Sequence, residues 1–399
     1  MTIARQQYID RLTAEKDDIK FVKVITGIRR CGKSTLMNQY ADILISMGVD
    51  KKDIFHIDLD LYENKDLLTA DSLHVFLKAN LQGRRTYLLV DEIQKIDGWE
   101  TVIRSAMSEF DVDIYITGSN AYMLSSELAT LLSGRSIEIK MLPLSFYEYI
   151  EHNKYVHDDV GEEQLVEFLL RGSFPMIDHD DSQETVRYKL EGVYNTVVVK
   201  DIINRKKGSV RNGPLLERLT KYVFSTCGSP VSSSSIAKRL GHSDETTVDN
   251  YLSLLEEAFI IYRADRYDLK GKKILDNICK YYCADTGMRN IILGTAGTDT
   301  GHLLENVVYL ELLRRGFNVY VGVNGEKEVD FVTKKGTETR YYQVTQSMAS
   351  PDVAEREVRN LLSIKDNHPK TVLSMDRFII GGYEGIRHLN IIDFLLGKE

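Results

Sequence analysis

Prolines and cysteines are scarce in this chain, and an excess of positive charge is missing altogether. Six prolines in 399 residues, with 43% of the residues hydrophobic, indicate compact folding throughout and leave no long solvated tail. At this length one ordinary hydrophobic core is not enough, so two or three domains are expected. The four cysteines, Cys31, Cys227, Cys279 and Cys283, include no C-x-x-C pair and have no histidine ladder nearby. That excludes a zinc site of the usual spacing and leaves reduced, buried thiols as the reading. A formal net charge of −8 argues against a chain that coats nucleic acid over its whole surface, although a local basic strip is still open. The N-terminus has no basic-then-apolar signal, and no apolar run approaches the ~20 residues of a membrane helix. The expectation is a cytoplasmic protein with no membrane partner.

What is present begins at Phe21 to Thr26, a β-rich run that leads through Gly27-x-x-x-x-Gly32-Lys33-Ser34 into a segment of helical periodicity. Strand, glycine loop and helix in that order form a P-loop. Gly27 and Gly32 let the backbone wrap phosphates, with Arg30, Cys31 and Thr35 in the same stretch. Lys33 reaches the terminal phosphates and Ser34 ligates Mg2+. Thr86-Tyr-Leu-Leu-Val90 reads as a buried parallel strand that delivers Asp91 and Glu92 to its C-terminal edge, in the manner of a Walker B motif. Asp91 then belongs to the magnesium shell, and Glu92 orients the water that attacks the γ-phosphate of ATP.

A third strand, Asp113 to Thr117, ends in Gly118-Ser119-Asn120, and either Ser119 or Asn120 is placed to sense the γ-phosphate. Arg135, just before a strand at Ser136 to Met141, is a candidate arginine finger acting in its own subunit or on a neighbour. A further β-run covers Asp53 to Asp60. His56, Asp58 and Asp60 alternate along it, but no fourth ligand is evident, so they read as strand-end residues. Strands near 21, 54, 87, 114 and 137 alternating with helices predict a doubly wound parallel α/β domain.

GIRRCGKST, YLLVDEIQ, YITGSN, LLSGRSIEIKMLPLSFYEY and FLLRGSFP together resemble the AAA-type ATPases of the archaeal-ATPase class. The resemblance implies strand order 5-1-4-3-2, ATP and Mg2+ as cofactors, and a helical lid that contains Arg171-Gly-Ser-Phe-Pro175. Arg171 is then a candidate nucleotide contact.

Farther along, Leu215 to Phe224, Ser233 to Leu240 and Glu245 to Ala258 read as helices, followed by strand-like pieces from Phe259 and Lys272, which suggests a winged helix-turn-helix. Its second helix carries Glu245, Asp249, Glu256 and Glu257 and no lysine or arginine, the wrong chemistry for reading base edges. The basic turn after it, with Arg263, Arg266, Lys270, Lys272 and Lys273, leaves a contact to the DNA backbone open. Cys279 to Cys283 reads as a strand entering a turn.

Gly301 to Gly316 is a helix with a glycine stop. A strand near Val319, a hairpin over residues 328 to 346, a helix around Glu355 to Leu362 and a last strand near Thr371 follow. That succession resembles the PD-(D/E)xK nuclease fold, and also the uncharacterised domain that commonly follows this ATPase type. In the nuclease resemblance Glu305 and Asp330 fall on metal-ligand positions, while Gln343 and Thr345 replace the second acid and the lysine. Lys334 is the one substitute lysine considered, ~13 Å along the strand from Asp330 and too far to serve.

The expected division is therefore residues 1–145 for the ATPase core, 146–208 for the lid and linker, 209–285 for the winged helix, and 286–399 for a nuclease-like domain that has lost its chemistry. The function expected is an ATP-hydrolysing switch or motor acting on a protein partner or the DNA backbone, with nucleotide-dependent homo-oligomers open. An ATP-controlled nuclease and a nucleotide-holding scaffold are the alternatives.

Overall fold

A computed structural model describes residues 3–81, 83–119, 132, 134–203, 212–241, 244–294, 300–377 and 385–398. These divide into two compact units, Met1–Met141 with Glu257–Phe259, and Leu142–Glu256 with Ile260–Glu399.

The first unit is built on five parallel strands: β1 (Val22–Thr26), β2 (Ile54–Asp58), β3 (Thr86–Asp91), β4 (Val112–Gly118) and β5 (Ser136–Lys140), in the order β2-β3-β4-β1-β5. Read from the other edge this is 5-1-4-3-2, the order the resemblance implied. β1, β3 and β4 are buried along their whole length, as parallel strands covered on both faces must be. One face is packed with Leu73 and Leu77 from helix α3 (Ala70–Asn80) and Val102, Ile103 and Ala106 from helix α4 (Trp99–Glu109). A lysine interrupts this apolar sheet. Lys23, fully buried in β1, places Nζ 2.5 Å from Asp113 Oδ1 on β4 and donates to the Asp18 carbonyl at 2.7 Å. The other Asp113 oxygen accepts from the Tyr115 hydroxyl and the Asp17 amide, both at 2.8 Å. Charge burial is tolerated here because the ammonium has its counter-charge at hydrogen-bond distance and both carboxylate oxygens accept hydrogen bonds.

The second unit contains seven strands in one mixed sheet, β12-β11-β10-β9-β8-β6-β7. They are β6 (Ile261–Asp268), β7 (Lys273–Cys283), β8 (Asn318–Asn324), β9 (Lys327–Lys335), β10 (Glu338–Val344), β11 (Lys370–Ser374) and β12 (Ile386–Asn390). Before the sheet come helices Phe146–His152, Glu162–Arg171, Gln183–Thr196, Gly213–Ser225, Ser233–Arg239 and Glu245–Glu257. Two findings differ from the sequence reading. β6 pairs in parallel with β8, Arg266 opposite Val321, so a single sheet runs through the expected boundary at 285/286. The strand near Thr371 is not the last. β12 follows it, a short edge strand whose sequence IRHLN alternates too weakly to stand out.

Two short motifs far apart in sequence are joined in this unit. Asp285 is buried and caps helix Thr286–Leu293 by accepting from the Met288 amide at 2.6 Å, while its second oxygen accepts from the Ser173 hydroxyl at 2.8 Å. A side chain on Gly172, whose φ is +86°, would collide with that carboxylate. Arg171, nearby, donates to the carbonyls of Asp178 and Asp181 at 2.6 and 2.7 Å and pairs with Glu167. The Arg171-Gly-Ser corner thus has a structural use within its own unit. Asp285→Ala removes a cap and two charge-assisted bonds at once, and should lower unfolding free energy by about 2–3 kcal/mol in a urea titration. A loss below about 0.5 kcal/mol would show the corner is held otherwise.

Candidate functional site

The nucleotide loop leaves β1 at the C-terminal edge of the parallel sheet, where open α/β sheets bind ligands. Gly27 has φ +152°, and a Cβ there would lie 2.1 Å from the Met141 carbonyl oxygen, so the backbone passes through a gap only glycine fits. Gly32, at φ +107°, starts helix α2 (Lys33–Ser46) and offers no side-chain cap, which leaves the first amide groups of that helix as an anion site. Lys33 is buried, and its Nζ donates to the carbonyls of Gly27 at 2.9 Å and Ile28 at 3.2 Å, holding the ammonium inside the loop. Ser34 and Thr35 are exposed on the first turn, and Arg30 is exposed in the loop with φ +70°. The Cys31 side chain points the other way. It is buried, with Sγ 3.5 Å from the Met141 carbonyl oxygen, while the Cys31 carbonyl accepts from the buried Arg5 at 3.1 Å. The thiol therefore anchors the loop, and burial pushes its pKa up.

Asp91 and Glu92 arrive from β3, both almost fully buried. Asp91 is registered against Asp58 of β2, and its carboxylate accepts a hydrogen bond from the Thr117 hydroxyl. Burial holds the Asp91 carboxyl above its ordinary range, while the Thr117 and Ser34 hydroxyls act in the opposite direction. The loop serine is therefore near the strand acid, as a shared Mg2+ shell requires, and their oxygen-only donor set suits that ion. Glu92 takes the left-handed conformation, φ +54°. Its amide donates to Thr117 Oγ1 at 3.0 Å, and its Oε2 accepts from Gln94 and from Ser119 Oγ, the latter at 3.3 Å. Of the two candidate phosphate sensors, Ser119 is thus beside Glu92, and Asn120 lies outside the described residues.

Thr117 and Gln94 were missed by sequence reasoning. Thr117 is the last side chain of β4 before the glycine, on the strand next to β3, and that adjacency was the available signal.

Arg135 needs correction. It is exposed and precedes β5, whose Ser136 is registered against Val22 at the start of β1, whereas the P-loop leaves the far end of β1 after Thr26. Four strand residues, ~13 Å, separate the two edges of the sheet. Arg135 cannot serve the nucleotide site of its own chain.

The second unit assembles the residues assigned to a nuclease centre, with an unforeseen member. Glu305, on helix Thr300–Arg314, accepts from the Tyr282 hydroxyl and from Lys280 Nζ at 3.1 Å; Lys280 also pairs with Glu328 at 2.8 Å. Lys280 is buried in β7. Burial disfavours its ammonium, but Glu305, Asp330 and Glu328 more than offset this and hold its pKa above the ordinary lysine range. The packing around Asp330 and the negative charge of Glu305 push the Asp330 carboxyl well above its usual value, with Lys280 acting against them. Asp330 Oδ2 accepts from the Val344 amide at 2.8 Å, and Gln343 Oε1 accepts from the Asp330 amide at 3.4 Å. These two side chains therefore tie β9 to β10. Thr345 donates to the Ser347 carbonyl at 3.4 Å. The lysine paired with these acids is Lys280 from another strand, whereas Lys334 lies over the Tyr267 ring. Among the described residues, no three His, Cys, Asp or Glu side chains are grouped to hold a metal ion. All four cysteines are buried and free.

A family model described as "AAA domain" matches residues 20–150, and one described as "Domain of unknown function (DUF8612)" matches residues 162–299. The second match covers the helices of the middle with β6 and β7 and ends at residue 299, so it takes in only the first residues of the region 286–399, where an uncharacterised domain was expected. An "Uncharacterized protein" of Haemophilus influenzae is 35% identical over 99% of this chain and 98% of its own length. "Uncharacterized protein MJ1544" of Methanocaldococcus jannaschii is 30% identical over 78% of this chain and 71% of its own. Among solved structures, the Aeropyrum pernix ORC2 protein is similar with a TM-score of 0.39 and 10% identity, over 77% of this chain and 92% of that one.

Proposed function

This chain belongs to the family of its Haemophilus influenzae and Methanocaldococcus jannaschii relatives and carries an AAA domain, and from that premise we propose that it hydrolyses ATP to switch its second unit between partner-binding states. The observation that carries the proposal is a glycine loop closed around the Lys33 ammonium at the mouth of an uncapped helix, on the sheet edge where β3 ends in Asp91 and Glu92. In this reading the α2 amides and Lys33 bind the phosphates, and Glu92 takes the proton of the attacking water. Ser34 and Asp91 would hold Mg2+, which supplies positive charge against the phosphate oxygens. Arg135, excluded from its own site, is a finger only for a neighbouring copy in a nucleotide-dependent oligomer.

Residues 146–208 are read as the lid, and the helices at 213–257 with the β6–β7 hairpin as a winged helix that contacts a partner. The region from 286 on is read as a restriction-endonuclease-like fold that binds without cleaving, because Gln343 and Thr345 stand where the second acid and the lysine would be. No helix among the described residues is long and apolar enough to cross a membrane. A cytoplasmic location is part of the proposal.

The test is nucleotide binding. Titration of a fluorescent ATP analogue in Mg2+ should give a saturable site in the native protein and an affinity at least ~100-fold lower in Lys33→Ala, the loss of charge-assisted bonds to two phosphates. Equal affinities would remove the assignment.

A further inference from the structure

We propose that a lysine-lined cleft in the second unit binds the phosphate backbone of a nucleic acid. The cleft is about 950 Å³ in volume and lies among the β6–β7 turn, the β8–β9 turn, the adjoining face of β9 and β10, and the loop that follows helix Pro351–Leu362. Lys270, Lys272, Lys327, Lys334 and Lys365 line it, against two carboxylates, Glu326 and Asp366. In a chain whose net charge is −8, that is a local reversal of sign.

Among the described residues, none of the five lysines has a carboxylate within ion-pair distance, whereas Lys52 and Arg187, also exposed, are paired with Asp50 and Glu191. One of the two acids is already engaged. Asp366 accepts from the Tyr341 hydroxyl at 2.7 Å and from Lys370 Nζ at 3.4 Å. Lys334 is held in place, with Nζ 3.7 Å from the centroid of the Tyr267 ring. Unpaired ammonium groups gathered in a concave site repel one another and focus a positive field into it, and a bound polyanion relieves that repulsion.

The distribution of the lysines selects the ligand. They come from three separate segments and surround the cleft rather than converge on one point, and none belongs to a helix N-terminus or glycine nest of the kind that grips a single phosphate. Spaced point charges suit successive phosphates along a strand of nucleic acid. Contacts of this kind carry no sequence information, in agreement with the acidic second helix of the helix-turn-helix.

The inference is independent of ATP hydrolysis and is tested on the full chain. Fluorescence anisotropy with labelled single-stranded DNA, duplex DNA and polyglutamate at 50 and 200 mM salt compares the native protein with Lys270→Glu/Lys365→Glu, two exposed positions on different loops. Native protein should bind at least one of the DNAs, with affinity falling steeply as salt rises. The double variant should bind at least tenfold more weakly with a shallower salt slope, and should keep its affinity for the ATP analogue, which shows that it has folded. The single-stranded and duplex arms identify which form fits. Absence of DNA binding, an unchanged affinity and slope in the variant, or polyglutamate binding as tight as DNA would each overturn the inference.

Discussion

Glu92→Gln protein is expected to hold ATP and to release phosphate about 10²–10⁴ times more slowly than the native enzyme, the usual contribution of a positioned general base. The substitution keeps shape and volume, so the left-handed turn at Glu92 and the amide bond to Thr117 persist. The hydroxyl of Ser119 and the amide of Gln94 can still bond to the new side-chain oxygen. Asp91 and Ser34 are untouched, so the magnesium shell and hence nucleotide affinity should stay within a few-fold of native. What is lost is the ability to accept a proton. Phosphate release under saturating ATP, paired with the analogue titration, separates the two effects. A turnover rate within threefold of native would assign the base elsewhere. A parallel collapse of ATP affinity would mean that Glu92 holds structure.

Lys280→Met should destabilise the second unit by about 3–5 kcal/mol, the cost of leaving buried acids without their cation. Methionine retains most of the volume, so the loss reports charge rather than packing. It should also depend on pH in a defined direction. Asp330 is already raised well above its ordinary value with Lys280 present, and removing the ammonium raises it further. A carboxyl whose folded pKa exceeds its unfolded one favours the fold below the unfolded pKa, and that contribution is lost as pH rises through the folded pKa. The variant should therefore be most nearly native in acid and fall behind as the medium becomes neutral. Thermal unfolding at pH 5 and pH 8 measures this. A deficit independent of pH, or smaller than about 1 kcal/mol at pH 8, would contradict the account.

The contrast between the two centres shows what could be read in advance. Gly27, Lys33, Ser34, Asp91 and Glu92 were legible because a P-loop and a strand-end acid pair are local patterns, each made by consecutive residues whose types are dictated by phosphate and magnesium chemistry. The acids of the second unit were found through the order of their elements, but the search for a lysine followed the hairpin and considered Lys334. Lys280 is 50 residues before Asp330 and comes into place only because β7 and β9 share a folded sheet. For Arg135 the sequence left its own subunit and a neighbour open, and in the parallel sheet the start of β5 lies at the edge opposite the P-loop of the same chain.

By itself, then, the sequence determined most of the element types, the parallel order of the first sheet once its resemblance was admitted, and the P-loop pattern at Gly27 to Thr35. Those depend on short-range periodicity and on residues adjacent in the chain. The tertiary structure alone decided which charges are neutralised: Lys23 by Asp113, Lys280 by Glu305 and Glu328, and the cleft lysines by nothing among the described residues. Pairing of charges depends on distances of a few ångströms between strands and loops far apart in sequence, and only the folded backbone sets those distances.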